Sequence, residues 1–145
     1  MRPGRRLGVD YGSVRVGLAI SDPHGLLATP YETLDSPTAV ENICRIALEE
    51  EVVEIVVGLP RHLNGSEGAS AELVRTFADE LRIGNIPIRL VDERSTTLSA
   101  SAQLRQSGRN AKNSKSIIDQ ASAVIILQGA LDAERNGRLI GEVIL

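Results

Sequence analysis

The chain is poor in aromatic residues and cysteine, and it contains no tryptophan. Its 145 residues include two tyrosines, one phenylalanine and one cysteine. The core must therefore be built from Val, Ile, Leu and Ala. Recognition of single-stranded nucleic acid by stacking its bases on several aromatic side chains is disfavoured. The single cysteine, Cys44, excludes an internal disulfide and a cysteine-based metal site.

A strong excess of basic charge and a long apolar run are also missing. The formal net charge is −3, so any contact with nucleic acid must use a local basic patch. No apolar run reaches ~18 residues and no signal-peptide pattern opens the chain, so we expect no membrane partner and a cytoplasmic location. The length predicts one domain over residues 1–145.

The hydrophobic periodicity predicts an α/β fold with a mixed five-stranded sheet flanked by helices. A three-strand antiparallel meander should come first, followed by two parallel strands in βα units. The predicted strands are Arg5 to Asp10, Val14 to Ser21, Leu26 to Leu34, Val52 to Val57 and Ile86 to Val91. Helices are predicted after Ser36-Pro37, around Val74 to Leu81, from Ser95 or Thr96 to Gln106, and after a polar segment that ends at Lys115. The tail, residues 139–145, fits either an added strand or a dimer contact.

Three carboxylates, Asp10, Glu93 and Asp119, lie at the ends of predicted elements beside apolar residues. Hard cations such as Mg²⁺ take oxygen ligands of this kind. The same residues also fit other roles: Asp10 as a turn or cap residue, Asp119 as an acid in the first turn of a helix, and Glu93 as an ion-pair partner of Arg94 or Lys112. Spacing alone leaves these alternatives open.

A basic segment precedes Asp119. Four basic residues fall within eleven positions and no acid lies among them: Arg105, Arg109, Lys112 and Lys115. We interpret the segment as a flexible loop that contacts substrate phosphates, although an ordinary solvated loop has the same composition. Arg94, next to Glu93, is a further candidate for substrate binding.

Four sequence blocks resemble motifs of the YqgF/RuvX family, in the family's order. They are Gly8-Val9-Asp10-Tyr11-Gly12 with Arg15-Val16-Gly17-Leu18-Ala19, Val57-Gly58-Leu59-Pro60 with Asn64-Gly65, Asp92-Glu93-Arg94 with Thr96-Thr97, and Ile118-Asp119-Gln120-Ala121 with Ala123. Together they extend from about residue 5 to 132. Each block alone is modest, but the four together are highly specific.

The resemblance implies an RNase H-like fold, a relationship to RuvC-type Holliday junction resolvases, and a nuclease that matures the 5′ end of pre-16S rRNA. It also implies that Asp10, Glu93 and Asp119 are the catalytic positions and hold Mg²⁺ or Mn²⁺. In the usual RNase H-like layout the second acid comes from the fourth strand, whereas here that strand ends in Gly58-Leu59-Pro60. Glu93 follows the fifth strand, about two spacings of ~4.8 Å from Asp10. We expect its long side chain to close that gap.

Three other functions fit parts of the pattern. A DNA junction resolvase would act as a homodimer, whereas an RNA nuclease can be a monomer or a homodimer. A non-catalytic factor in transcription or ribosome assembly would bind nucleic acid without cleaving it. The glycine-rich opening motif also resembles the phosphate loop of the actin and sugar-kinase fold, but those proteins need two such domains.

Overall fold

The computed structural model describes residues 2–93 and 111–144, and for residues 111–119 only the backbone. Its strands are β1 (Arg5–Tyr11), β2 (Arg15–Ser21), β3 (Ala28–Asp35), β4 (Val52–Leu59), β5 (Ile88–Asp92) and β6 (Glu142–Ile144). Its helices are α1 (Ala39–Glu49), α2 (Ala69–Leu81) and α3 (Ala111–Arg135), with 3₁₀ turns at Ser36–Thr38 and Arg82–Gly84. In these ranges no helix combines the length and apolarity needed to span a bilayer.

All six strands form one mixed sheet in the order β3-β2-β1-β4-β5-β6. The first three strands make the predicted antiparallel meander, and β1, β4 and β5 run parallel. The predicted fold class is therefore confirmed, but the sheet has six strands where five were predicted. The additional strand comes from the tail, where Glu142–Ile144 pairs antiparallel with β5.

The two faces of β1 point to different helices. Leu7 and Val9 belong to the main core, with residues of α1 and α2. A Cβ on Gly8 would lie 2.7 Å from the Cβ of Leu127 and 2.9 Å from the carbonyl oxygen of Ala123, so Gly8 faces α3 at close range. Because side chains alternate along a strand, Asp10 also lies on the α3 face.

The other face at the end of β1 is fixed by an aromatic contact. The ring centroid of Tyr11 lies 4.5 Å from that of Phe77 in α2. Tyr11 and Asp10 therefore project from opposite faces of the sheet.

Helix α3 lies across the meander and buries a stripe of residues at helical spacing, namely Ala123, Ile126, Leu127 and Leu131. Gln128 fixes the helix to the edge of the sheet, because its Oε1 accepts a hydrogen bond of 2.8 Å from the backbone N–H of Ala28. Gln120 contacts the same strand nearer its other end, where its side-chain N–H donates to the hydroxyl of Thr33 at 2.9 Å. The helix is thus held firmly over β1, β2 and β3.

Five charged residues form a largely buried ion chain, in which the Arg2 side chain is 42% exposed. It lies at the end of the sheet where β1, β4 and β5 begin and consists of Arg89, Glu54, Arg2, Glu134 and Arg6. Arg89 makes two hydrogen bonds of 3.1 Å to Glu54. Arg2 bridges Glu54 at 3.2 Å and Glu134 at 2.6 Å, and Arg6 reaches Glu134 at 2.8 Å. The ion chain joins Arg2, the three neighbouring strands β1, β4 and β5, and the end of α3.

The end of α1 carries an unusual backbone conformation. Helix α1 ends at Glu49, Glu50 is its C-cap, and Glu51 has φ of 53°. This left-handed position is normally taken by glycine, because a Cβ is strained there.

Candidate active site

Asp10 lies near the end of β1, half-buried on the α3 face. It is opposite Gly17 of β2. On its other side, Val9 pairs with Val57 of β4, so Asp10 is level with the next residue of β4, Gly58. The two nearest strand positions beside Asp10 are therefore glycines, so neither neighbouring strand places a side chain of its own next to Asp10 on this face.

Glu93 directly follows β5, and its backbone continues the pairing with β4. Its N–H donates to the carbonyl oxygen of Leu59 at 3.3 Å. Its carboxylate oxygen Oε2 lies 2.5 Å from the point that a Cβ on Gly58 would occupy. The Glu93 side chain therefore reaches back over β4 on the α3 face, and its carboxylate lies above Gly58. This position over β4 removes one of the two strand spacings, ~4.8 Å each, that separate the two residues in the sheet.

The surroundings of Glu93 favour a nearby positive charge. Burial raises the pKa of the Glu93 carboxyl above its ordinary value, and the negative charge of Asp92 raises it further. Both effects penalise the ionised form. A cation bound between Glu93 and Asp10 would reverse this penalty.

Asp119 lies in the interior of α3, at the ninth position of a helix that begins at Ala111. The interpretation of Asp119 as a first-turn acid is therefore wrong. Residue 119 is one helical turn before Ala123, whose carbonyl oxygen approaches Gly8 of β1. The backbone of α3 thus brings this position towards the strand that carries Asp10.

The four basic residues predicted to bind substrate fall in two groups. Lys112 and Lys115 belong to the first two turns of α3. The prediction of a flexible loop is therefore wrong for residues 111–115, because Ala and Lys are strong helix formers and extend the helix back to Ala111. Arg94 and Arg109 lie outside the described residues, as does the helix predicted from Ser95 or Thr96 to Gln106.

The loop after β4, residues 61–68, is tied down by ion pairs rather than standing free. Arg75 of α2 binds Glu67 at 2.7 Å and Glu142 of β6 at 3.0 Å, and Arg61 lies 3.5 Å from Glu67. The N–H of His62 donates to the carbonyl oxygen of Ser66 at 2.8 Å. One arginine therefore joins this loop, helix α2 and the last strand.

The donor set fits a hard divalent cation. Mg²⁺ is commonly held by one or two carboxylates, with water and substrate phosphate completing its shell. Asp10 and Glu93 supply two carboxylates at one edge of the sheet. Among the side chains that the structure describes, no group of three metal-binding residues occurs, and the third predicted ligand, Asp119, is described only in its backbone.

Sequence reasoning missed the importance of Gly58 and of the buried charges. Gly58 was interpreted only as the end of a strand, and the glycine itself was the available signal. Glu54 and Arg89 interrupt two predicted neighbouring strands with opposite charges, which indicates a buried pair.

Comparisons with known proteins agree with this architecture. Residues 4–133 match the family described as RuvX, Holliday junction resolvase. A relative in Streptomyces coelicolor is 53% identical, with 98% of this chain and 89% of the relative covered. One in Mycobacterium ulcerans is 51% identical, with 91% and 81% covered. Both names designate a candidate pre-16S rRNA nuclease.

Among solved structures, the fold is similar to that of RuvC from T. thermophilus in complex with a Holliday junction substrate. The TM-score is 0.65 at 13% sequence identity, covering 97% of this chain and 99% of that one. A second structure of Thermus thermophilus RuvC gives a TM-score of 0.58 at 12% identity, with the same coverage.

The sheet order, the helix across its meander and the likeness to RuvC define an RNase H-like α/β protein. Asp10 and Glu93 both lie at the carboxyl ends of its parallel strands. At the level of sequence, the chain belongs to the RuvX family, which includes the nuclease-named relatives above.

Proposed function

We propose that this chain is a cytoplasmic, divalent-metal-dependent nuclease that hydrolyses phosphodiester bonds in RNA and processes the 5′ end of pre-16S rRNA. The observation that carries the proposal is the position of the Glu93 carboxylate over Gly58, the β4 residue level with Asp10, which supports a site shared by acids from β1 and from the end of β5. The substrate assignment is supported by relatives at about half identity over nearly the whole chain.

Asp10, Glu93 and Asp119 would hold Mg²⁺ or Mn²⁺. When bound, the cation polarises the phosphate and offsets the negative charge of the transition state. Asp10 projects from a central strand paired on both sides, so its carboxylate is held in a fixed position. Glu93 would complete the ligand set or orient the attacking water.

The basic residues would bind the substrate's backbone. Lys112 and Lys115 lie in the first turns of the helix that carries Asp119, so the backbone spacing between them and Asp119 is that of an α-helix. Arg94 and Arg109 are adjacent in sequence to Glu93 and to that helix. Contacts of this kind fix the register of a nucleic acid without reading its sequence.

The test is cleavage of precursor 16S rRNA by the purified protein with Mg²⁺, with Mn²⁺ or with EDTA. We expect cleavage that EDTA abolishes and that Asp10→Asn loses. Glu41→Gln is the matched control, because Glu41 is an exposed acid in α1, on the other side of the sheet. Equal cleavage by Asp10→Asn would refute the site.

A second candidate, a Holliday junction resolvase, is favoured by the description of the matching family. A synthetic four-way junction belongs in the same assay, together with the mass of the protein in solution. Symmetric cleavage of the junction by a dimer, without cleavage of the rRNA precursor, would replace our proposal with this one. A non-catalytic factor would bind RNA without cleaving it. Its binding would be retained by Asp10→Asn and lost when Lys112→Ala and Lys115→Ala are combined.

A further inference from the structure

Beside Asp10, β4 offers no side chain on the α3 face, because the residue level with Asp10 is Gly58. Gly58 itself pairs with Val91 of β5, two residues before Glu93. Glu93 contributes to a shared site with Asp10 only if its side chain has room above β4.

Two side chains already occupy that space. A Cβ on Gly58 would lie 2.5 Å from Oε2 of Glu93 and 2.5 Å from Cδ1 of Ile126 in α3. Real Cβ atoms essentially never approach other heavy atoms so closely. The carboxylate of Glu93 and the end of Ile126 thus occupy the space that the Cβ of any other residue at position 58 would need.

We propose that Gly58 is a positioning residue for the acidic site, because its missing Cβ leaves room for the Glu93 carboxylate over β4, the strand next to Asp10. The inference rests on the proposed function, since it assigns Gly58 a role in assembling the proposed metal site. It accounts for a nuclease-type site in which β4 carries no acid level with Asp10.

Displacement of Glu93, rather than unfolding, is the expected result of adding a methyl group. Both crowded atoms are the far ends of flexible side chains, so they can move while the backbone of β4 stays in place. Gly8 differs in this respect, because a Cβ there would meet the backbone carbonyl oxygen of Ala123. Gly58→Ala should therefore fold and change the site.

The experiment measures Mn²⁺ binding, by the electron paramagnetic resonance signal of free Mn²⁺, for a double-mutant cycle of Gly58→Ala and Glu93→Ala. We expect each single variant to weaken binding ~10-fold or more. The double variant should bind no more weakly than Glu93→Ala alone, because Gly58 acts through Glu93. Thermal unfolding of each variant is recorded in parallel.

Ile126→Val is the matched control, because it deletes the Cδ1 atom that a Cβ at position 58 would meet. We expect this variant to bind Mn²⁺ as the wild type does. Gly58→Ala combined with Ile126→Val should recover thermal stability but not Mn²⁺ affinity, since Glu93 remains displaced.

Wild-type Mn²⁺ affinity in Gly58→Ala would overturn the inference while leaving the site intact. So would a loss of Mn²⁺ affinity from Gly58→Ala that is equally large whether residue 93 is Glu or Ala. Recovery of affinity by Ile126→Val would also overturn it, because packing would then be the cause. Wild-type affinity in Glu93→Ala would instead refute the proposed site, and the inference with it.

Discussion

Replacing Glu54 by Gln should cost this protein a large part of its stability. The Glu54 side chain is 4% exposed, and it neutralises Arg89, whose side chain is 8% exposed. Gln preserves the shape but removes the charge, so the guanidinium of Arg89 is left buried without compensation. Removing one partner of a buried ion pair costs ~3–5 kcal/mol. At about 3 °C per kcal/mol for a chain of this size, the melting temperature should fall by roughly 10–15 °C.

Urea unfolding followed by circular dichroism at neutral pH measures this loss. The matched control is Glu49→Gln, because Glu49 pairs with Arg45 on the surface of α1, where the two side chains are 56% and 52% exposed. Exposed pairs contribute ~0.2–1 kcal/mol, so this variant should unfold close to the wild type. The reasoning is refuted if Glu54→Gln loses no more than Glu49→Gln does.

A double replacement separates charge from packing. Glu54→Leu with Arg89→Met removes both buried charges and fills the space with apolar atoms, so the double variant should be more stable than Glu54→Gln. Arg2 then keeps Glu134 as its partner. A double variant less stable than Glu54→Gln would show that hydrogen bonding, not the unpaired charge, controls the cost.

Two further predictions concern the end of α1 and the other acid of the ion chain. Glu51→Gly should raise the free energy of unfolding by about 1 kcal/mol in urea titrations, because it relieves the left-handed backbone at φ of 53°. The control Glu50→Gly, at an ordinary φ of −88°, should lower it. A lower free energy of unfolding in both variants would contradict the prediction. Burial by itself would raise the pKa of Glu134, but hydrogen bonds from Arg2 and the charge of Arg6 outweigh it and lower that pKa to about 2. A depressed carboxyl pKa stabilises the fold above its unfolded value of ~4.3 and loses this contribution as the pH falls towards 2. The difference in the free energy of unfolding between wild type and Glu134→Gln should therefore be constant near neutral pH and shrink as the solution is acidified below about pH 4. A difference that stays constant down to pH 2.5 would contradict the lowered pKa of Glu134.

The meander and the parallel strands were predictable because their patterns are strong. The hairpin at Tyr11-Gly12-Ser13 and the apolar run of β4 mark their elements without help from distant residues. The sixth strand was one of two expectations for the tail, and its three residues could not decide between them, since exposed Glu142 and Val143 carry no period. Only the free edge of β5 makes them a strand, and that edge exists only in the folded protein.

The acidic site shows a different limit. Asp10 and Glu93 were identified by motif, and their separation across two strand spacings was worked out from the expected topology. The sequence displays a glycine at position 58, but it does not say which side chain uses the space above that glycine. That depends on the register of β4 with both neighbours and on the close approach of α3.

The buried ion chain exposes a third limit. Arg6 and Glu54 sit inside apolar runs, where a charged residue ordinarily argues against burial. Their partners Arg2 and Glu134 are 132 residues apart in the chain. No local pattern pairs them. The opposite charges of Glu54 and Arg89, in two predicted neighbouring strands, were the signal in the sequence that could have predicted a buried ion pair.

The contact between Tyr11 and Phe77 gives the protein a built-in optical reporter. There is no tryptophan, and the only other tyrosine, Tyr31, is on the edge strand and is 37% exposed. In a Tyr31→Phe background, all tyrosine emission would come from the residue that follows Asp10, on the opposite face of the same strand. Any change at the acidic site that shifts the end of β1 and alters the packing of Tyr11 on Phe77 would then be observable without a label.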